Sequence, residues 1–429
     1  MNVSPKGFLV VIAMISLGLS SPGVAFTPNN LYVGGRDTTT TEAVVFEFDP
    51  SGNLVRTIPT GNISDYVYGL AFGPDGNLYA AVRNAGRVVR ISPTYTVTTF
   101  VEGLDPSPIG VEFGPQGRMY VCSREDGGTV RVLNPDGTTA ATYTADASNS
   151  PSFATFRDDG HVFVTMQGPT ADTCVQELDA SLRPVRKIGV GTFSSFPSPL
   201  VFGRDGVMFV ADYGANQVQR FDATGAALPD LPAAGLSGPY GLAIGPDGNL
   251  YVANWTQSTD TQILVVNPAT GDTIRTISRP GMFAASGMAF APSRYNVRLR
   301  GTATTEGVGQ VRLAAPTGVL SIAPGSGKTM ISIGDPAVPN SIGSIFPGTS
   351  ALVFHGNDVV SGGKPVYAAQ GAMVSMEGPD RPVGSSTLTS KGAFQTGSGY
   401  FTPRTVSGSL QLSRPGSVVS ASFVGSRIR

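Results

Sequence analysis

Residues 241–254 read GLAIGPDGNLYVAN and residues 69–82 read GLAFGPDGNLYAAV, so the chain contains nearly the same stretch twice. Alignment on this pattern reveals further copies that begin at positions 110, 153 and 199, and a shortened copy that begins at 287. The copies are 41 to 46 residues apart. Repetition at this period indicates a repeat architecture in which each copy packs against its neighbours.

Each copy divides into the same short strands. An apolar strand such as GLAI is followed by a turn with Pro and Gly and then by a second strand such as NLYVA. Pro presets φ in such a turn, and Gly accepts a positive φ. A third strand and a second turn follow in VFEFDPSG (45–52) and VRVLNPDG (130–137), and LVRTI (54–58) is a weaker fourth strand. Four antiparallel strands in about 42 residues are one propeller blade.

The two ends of the repeat region predict how the ring closes. NNLYVGG (29–35) is a second strand without a first strand, and GMAF, from position 287, is a first strand without a second. Pairing of these two half-copies completes one blade and leaves no free end. We therefore predict an all-β protein: a six-bladed β-propeller followed by a smaller β-rich C-terminal module.

The predicted domains are a signal peptide over 1–25, the propeller over 26–293 and the C-terminal module over 294–429. The signal peptide is indicated by Lys6, by the apolar run FLVVIAMISLGL and by the small residues Gly23 and Ala25, which favour cleavage after Ala25. An uncleaved anchor is the alternative. We expect a secreted or extracytoplasmic protein, in the periplasm or at the cell surface, with no transmembrane span after cleavage.

Composition restricts the partners. The formal net charge is −1 and charged residues make up 14% of the chain, which argues against nucleic-acid binding, because a nucleic-acid binder needs a basic face. The chain has two cysteines, Cys122 and Cys174. Export would permit a disulfide between them, and the sequence leaves their pairing open.

The repeat pattern G-[LMV]-[AE]-F-G-P-D-G-N-L-Y-V resembles that of the NHL-repeat propellers and their relatives. These relatives include the gluconolactonase/SMP-30 group, the streptogramin lyases and the strictosidine-synthase-like proteins. The resemblance covers roughly residues 27–293 and rests on packing and turn residues. It implies that the functional site lies on the face formed by the second-to-third loops and the inter-blade loops.

The residue before each GLAF-type strand is expected to point into the channel mouth on that face. These residues are Tyr68, Ile109, Ser152, Ser198, Tyr240 and Ser286. The resemblance to gluconolactonases implies a divalent cation held at this depth by Glu, Asn and Asp, because hard cations need several oxygen ligands. This ring contains no carboxylate, so we predict no metal ligands and no cofactor.

The second-to-third loops supply further candidates for ligand binding. Trp255 is the only Trp of the chain, and residues of this type are enriched at binding surfaces. An alternative is that Trp255 covers a neighbouring loop and that Asp212 and Asn254 bond loop backbone. The loop candidates are Arg36, Arg83, Arg124, Glu125, Asp212, Tyr213, Asn254 and Trp255.

Catalysis is less well supported by the sequence. The resemblance to streptogramin lyases implies elimination by a His with a metal-bound Glu, but His161 is expected in a solvated turn on the opposite face, and His355 lies outside the propeller. We therefore predict a non-catalytic scaffold that binds a small molecule, a peptide or a cell-surface polymer. The alternative is a lactonase-like hydrolase or a streptogramin-lyase-like lyase with a degenerate site, with carboxylates such as Asp65, Glu125 or Asp212.

The C-terminal region differs from the propeller in charge. Positions 294–429 contain 12 Lys and Arg against 5 Asp and Glu, a net charge of +7, whereas positions 26–293 have a net charge of −9. Alternation in stretches such as KTMISIG (328–334) and GSLQLS (408–413) predicts strands. We expect an adhesive or assembly-directed module that docks on the propeller or on an anionic polymer. Asn62 and Asn254 match the glycosylation sequon.

Overall fold

Six antiparallel sheets form a ring in the computed structural model of the chain. The structure describes residues 26–292 except 74, 105–106, 115–117, 125–127, 147, 158–160, 204–205 and 257–260, together with the backbone of ten strands beyond 292. The proposed signal peptide therefore lies outside the described residues. The predicted all-β fold and the six blades are confirmed.

Blade 1 joins the two ends of the propeller. Its strands are β1 (Leu31–Asp37), β2 (Glu42–Phe48), β3 (Leu54–Ile63), β24 (Met282–Phe283) and β25 (Met288–Phe290). Strand β1 pairs with β25 through Leu31 opposite Phe290 and with β24 through Arg36 opposite Phe283. The closure predicted from the two half-copies is confirmed.

The other five blades each contain four consecutive strands, in the order inner to outer edge. Blade 2 contains β4 (Val67–Phe72), β5 (Leu78–Val82), β6 (Arg87–Ile91) and β7 (Val97–Val101). Blade 3 contains β8 (Pro108–Phe113), β9 (Met119–Ser123), β10 (Thr129–Leu133) and β11 (Thr139–Thr144). Blade 4 contains β12 (Ser150–Phe156), β13 (Val162–Gln167), β14 (Cys174–Leu178) and β15 (Pro184–Ile188).

Blades 5 and 6 complete the ring. Blade 5 contains β16 (Pro197–Phe202), β17 (Met208–Asp212), β18 (Gln217–Phe221) and the short β19 (Ala227–Leu228). Blade 6 contains β20 (Pro239–Ile244), β21 (Leu250–Asn254), β22 (Gln262–Val266) and β23 (Thr273–Ser278). Hydrophobic clusters lie between successive blades, and apolar residues from both sheets contribute to each one.

Glycine allows the innermost strands to approach one another around the channel. In four blades the residue that faces the next blade is Gly, and a Cβ there would meet a backbone oxygen of that blade. The distances from the Cβ position to that oxygen are 2.4 Å at Gly69, 2.5 Å at Gly110, 2.0 Å at Gly241 and 2.2 Å at Gly287. The repeated Gly is therefore a steric requirement of the ring.

Both cysteines are buried inside the propeller. Cys122 and Cys174 lie in the hydrophobic cluster between blades 3 and 4 and are free thiols. Burial raises the pKa of the Cys174 thiol to about 11, so it is protonated at neutral pH. The two residues act as packing groups.

The C-terminal region forms a separate antiparallel sheet. Its strands are β26 (Ser293–Thr305), β27 (Gly309–Arg312), β28 (Thr317–Ala323), β29 (Lys328–Ser332), β30 (Ala351–Ser361), β31 (Lys364–Gln370), β32 (Val374–Ser375), β33 (Thr396–Phe401), β34 (Thr405–Arg414) and β35 (Ser417–Arg427). Strand β26 pairs with both β28 and β35, so the sheet closes on itself. Among the described residues, no helix has the length and hydrophobicity that a membrane crossing requires.

The glycine ring yields a stability prediction. We expect Gly241→Ala to lower the free energy of unfolding by about 2 kcal/mol or more, because its methyl group would overlap the Ser286 carbonyl oxygen. Gly206→Ala is the matched control: Gly206 has φ +81 but nothing within 4 Å of its Cβ position, so only backbone strain of about 1–2 kcal/mol applies. Urea unfolding of both variants measures the difference, and equal losses would contradict the steric explanation.

Candidate ligand-binding site

An aromatic cluster lies at the channel mouth, on the face formed by the second-to-third loops and the inter-blade loops. Tyr68 and Tyr240 come from the first strands of blades 2 and 6, and Trp255 follows the second strand of blade 6. The first strands of five blades shift register at or beside the channel-mouth residue, and such bulges re-aim side chains. The aromatic cluster consists of Tyr66, Tyr68, Phe153, Tyr213, Tyr240 and Trp255, with Ile109 buried among them.

Trp255 lies at the centre of this cluster. Its ring centroid is 5.1 Å from that of Tyr68, 5.2 Å from Tyr240 and 5.6 Å from Tyr66. Tyr68 and Tyr240 are buried, whereas Tyr66 and Trp255 are partly exposed. The cluster therefore presents partly exposed aromatic rings, on which planar ligand groups can stack.

Three arginines lie over aromatic rings near the channel mouth: Arg36 and Arg83 over members of the aromatic cluster, and Arg124 over Phe196, which packs on Tyr213. Arg83 also donates a hydrogen bond from Nη1 to the Tyr68 hydroxyl at 3.0 Å. These guanidinium groups bring positive charge to an apolar surface, an arrangement suited to anionic groups. The guanidinium-to-centroid distances are 5.6 Å for Arg36 over Tyr66, 5.3 Å for Arg83 over Tyr68 and 5.1 Å for Arg124 over Phe196.

The buried phenols do not act as bases at neutral pH. Burial raises the pKa of Tyr68 and of Tyr240 well above the ordinary phenol value, and the nearby Arg83 opposes this only in part. Both hydroxyls are therefore neutral hydrogen-bonding groups. They shape the channel mouth and hold polar neighbours in place.

The three serines of the predicted ring are fully buried and bond backbone carbonyls. Ser152 Oγ donates to the Pro197 oxygen at 3.2 Å, and Ser286 Oγ donates to the Val67 oxygen at 2.7 Å. Ser198 Oγ donates to the Phe196 oxygen at 3.3 Å. Ser152 and Ser286 thus link neighbouring blades, and a ligand-binding role for the three serines stays a prediction.

The polar loop candidates hold loop backbone. Asp212 accepts the Ser194 backbone N–H at 2.8 Å, and Asn254 accepts the Ser237 N–H at 3.1 Å and donates to the Gly235 oxygen at 2.8 Å. This is the alternative role that the sequence left open for these two residues. Burial of Asn254 also makes its sequon inaccessible in the folded protein.

Asp65 is similarly engaged. Its carboxylate accepts the backbone N–H groups of Tyr66, Asn84 and Ala85 at 2.7–3.0 Å, which fixes the loop that carries Arg83. Glu125 lies outside the described residues. Within the described part of the chain, no group of three or more His, Cys, Asp and Glu is arranged to hold a metal ion.

His161 lies in the predicted turn, but its side chain is only partly exposed and contacts a buried carboxylate, so the prediction of a solvated side chain is wrong. Its Nδ1 lies 2.7 Å from an oxygen of the buried Glu177, which also contacts Arg157 and Arg186. This cluster lies at the first-to-second turn of blade 4, on the face opposite the channel mouth, so His161 has no access to the aromatic cluster. Of His355, the structure describes only the backbone in β30.

Sequence reasoning missed four aromatic residues. Phe153 takes the place of the repeated Gly in blade 4, and Tyr66 precedes the first strand of blade 2 by one residue. Phe283 packs on Tyr66 and Phe196 packs on Tyr213, each with ring centroids 6.2 Å apart. A signal existed only for Phe153, as the one bulky aromatic residue at a Gly position of the repeat.

Comparison with known proteins supports a propeller. The model of the virginiamycin B lyase family matches residues 54–267. This is the lyase branch of the expected resemblance, and the NHL label itself receives no specific support. The chain matches no curated protein.

One of three similar solved structures supports the fold. The chain is similar to a structure from the nidogen/laminin complex, with 16% identity, 61% of this chain and 98% of that chain covered, and a TM-score of 0.50. A protein of unknown function from Bacteroides caccae has 14% identity, the same coverages and a TM-score of 0.49. A streptogramin B lyase has 15% identity, coverages of 64% and 92%, and a TM-score of 0.45. At these identities only the fold is comparable.

Glu177 yields a prediction for acid stability. Burial alone would raise the pKa of Glu177, but Arg186, His161 and Arg157 together hold it below the usual value. Its stabilisation is therefore present above the unfolded pKa of about 4.3 and is lost as the pH falls through the lower folded pKa. We expect Glu177→Gln to cost about 2–4 kcal/mol at pH 7 and to lose less stability than wild type between pH 5 and pH 3. Urea unfolding against pH measures both, and parallel curves would contradict this.

Proposed function

We propose that the protein is a secreted, non-catalytic binding protein whose channel mouth takes a ligand with a flat apolar group and an anionic group. The observation that carries this proposal is the aromatic cluster around Trp255, with two guanidinium groups over its rings and a third over the neighbouring Phe196. The flat group would stack on Trp255, and the anion would bind at the arginines. Small aromatic acids, and peptides or polymers that present such groups, are the ligand classes with this chemistry.

The state of the carboxylates supports binding over catalysis. Asp65 and Asp212 each accept two or more hydrogen bonds that fix loops. A general base must be free to take a proton from a substrate within hydrogen-bond reach. The two described candidates for an acid or base therefore already have structural roles.

Binding is testable through the single Trp. We expect 1-naphthalenesulfonate to quench the fluorescence of Trp255 and to bind more tightly than the uncharged 1-naphthalenemethanol. Arg83→Gln should weaken the sulfonate about five- to thirtyfold, because a desolvated charge-assisted contact contributes about 1–2 kcal/mol. It should change binding of the alcohol much less.

Arg183→Gln is the matched control. Arg183 is exposed in a third-to-fourth turn on the opposite face, and its loss should leave both affinities unchanged. Isothermal titration gives the affinities independently of fluorescence. Binding without quenching of Trp255, or equal effects of the two Arg variants, would contradict the proposed site.

A lyase is the second candidate, and the match to the virginiamycin B lyase family over 54–267 favours it. If this candidate is correct, the purified protein should consume virginiamycin B, with chromatography as the readout, and a chelator should stop turnover if a metal ion takes part. Glu125→Gln should then reduce the rate. Absence of turnover with and without added Mg²⁺, together with binding at Trp255, would favour the binding protein.

A further inference from the structure

Two blades contain a buried glutamate at the same position of the third strand. Glu47 in blade 1 lies opposite Tyr32, and Glu177 in blade 4 lies opposite Phe163. Each also has an arginine of the fourth strand directly across from it, Arg56 and Arg186 respectively. Because the blades repeat one architecture, the surroundings of the two carboxylates can be compared position by position.

Glu177 has a complete set of partners. One oxygen contacts Arg157 Nη2 at 2.9 Å and His161 Nδ1 at 2.7 Å, and the other accepts a hydrogen bond from Arg186 Nε. A buried carboxylate needs such partners because desolvation penalises its charge. In blade 4 both oxygens of the buried glutamate therefore have charged or hydrogen-bonding partners.

Glu47 lacks one of these partners among the described residues. Asn30 takes the place of His161 and donates from Nδ2 to one oxygen at 2.7 Å. Arg56 Nε is 3.6 Å from the other oxygen, which is buried without a hydrogen bond. The Oδ1 atoms of Asn29 and Asn30 are also buried without hydrogen bonds. Three acceptors in one region therefore lack a donor.

The partner of Glu177 that has no counterpart at Glu47 is Arg157. In blade 4 the Arg157 N–H donates to the His161 oxygen at 3.1 Å, and in blade 1 the Ala291 N–H donates to the Asn30 oxygen at 2.9 Å. Ala291 thus replaces Arg157 in the strand but has no charged side chain. In blade 1 the first strand (β25) and the second strand (β1) come from opposite ends of the propeller, so no continuous chain connects them. The residues that precede Asn30 take the place of the missing first-to-second turn.

Phe26 begins this replacement segment. It lies four residues before Asn30, as Arg157 lies four residues before His161. Its ring is buried in edge-to-face contacts with Tyr32, Phe72 and Tyr95, at centroid distances of 5.2–5.4 Å. The Tyr32 and Tyr95 hydroxyls are 3.4 Å apart, and both lie within electrostatic range of Glu47. Phe26 therefore packs on two tyrosines that face Glu47, and the described cation nearest to this carboxylate is Arg56, with its Nε atom 3.6 Å away.

We propose that the chain is cleaved between Ala25 and Phe26 and that the new α-ammonium group of Phe26 supplies the cation that Arg157 supplies in blade 4. A terminal ammonium has three N–H donors, which suits the unpaired oxygens of Asn29, Asn30 and Glu47. The segment from Phe26 to Asn30 leads directly into β1. Cleavage before Phe26 would therefore supply the missing cation of blade 1, the blade that closes the ring. The uncleaved chain has only a neutral peptide N–H at this position.

The proposal predicts a pH dependence of known sign. An α-amino group has an unfolded pKa of about 7.7–8.0, and pairing with Glu47 raises its folded pKa. The stabilisation is then fully present below about pH 7.7 and is lost as the pH rises through the folded pKa. The other groups that face Glu47 are Arg56, Tyr32 and Tyr95. Burial raises the pKa of both phenols, so neither ionises in this range.

The experiment uses the full chain, exported with its own leader from a bacterial host. N-terminal sequencing and intact mass should show a chain that begins with FTPNN. Between pH 7.0 and pH 9.5, the Tm of the mature protein should fall by roughly 2–5 °C more than that of Glu47→Gln. Insertion of Gly-Ser between Ala25 and Phe26 moves the ammonium away but keeps the Phe26 ring, and should abolish the same extra loss.

Glu177→Gln is the matched control. It removes the equivalent carboxylate of blade 4, where no terminus is present, and should keep the extra loss of wild type between pH 7.0 and pH 9.5. A mature chain that begins elsewhere overturns the processing site. A chain that begins at Phe26 but has the same pH response as the insertion variant or Glu47→Gln overturns the ion pair.

Discussion

The close approach of the innermost strands around the channel is the constraint on which the rest of the propeller depends. A side chain at Gly241 or Gly287 would occupy the space of a carbonyl oxygen of the next blade. Four blades therefore contain the same strand with the same small residue, which is one reason why the sequence repeats so closely. The first-to-second turns recur as well, because their Pro and Gly residues suit the backbone conformation of the turn.

This constraint also shapes the aromatic cluster at the channel mouth. Beside the close contact, the first strand shifts register in five blades, which turns the preceding residue towards the channel mouth. Where that residue is small, as in Ser152 and Ser286, its hydroxyl donates a hydrogen bond to a backbone carbonyl oxygen of the next blade. Where it is Tyr68 or Tyr240, the ring reaches the axis and packs under Trp255. The same backbone position thus either links neighbouring blades or contributes a ring to the aromatic cluster.

The sequence was sufficient for the fold because turn and packing residues recur at a fixed period. It placed the strands, the six blades and the pairing of β1 with β25. It could not separate binding residues from structural ones, since hydrogen bonds to loop backbone depend on loop geometry. Asp212 and Asn254 have that structural role, and contacts such as Phe196 with Tyr213 join residues of different loops. The ion cluster of Glu177 was missed because its members lie on two strands and one turn.

Blade 1 differs from blade 4 in that its first and second strands are not joined by continuous chain. Every other first-to-second turn is continuous chain, whereas in blade 1 the turn is assembled from Ala291 and the segment before Asn30. Such a junction loses the covalent link that holds the other turns. Aromatic packing of Phe26 and backbone bonds at Asn29 and Asn30 replace that link with local contacts. A terminal ammonium group would add to these contacts only if the mature chain begins at Phe26. The stability of blade 1 would then depend on where the chain is cleaved.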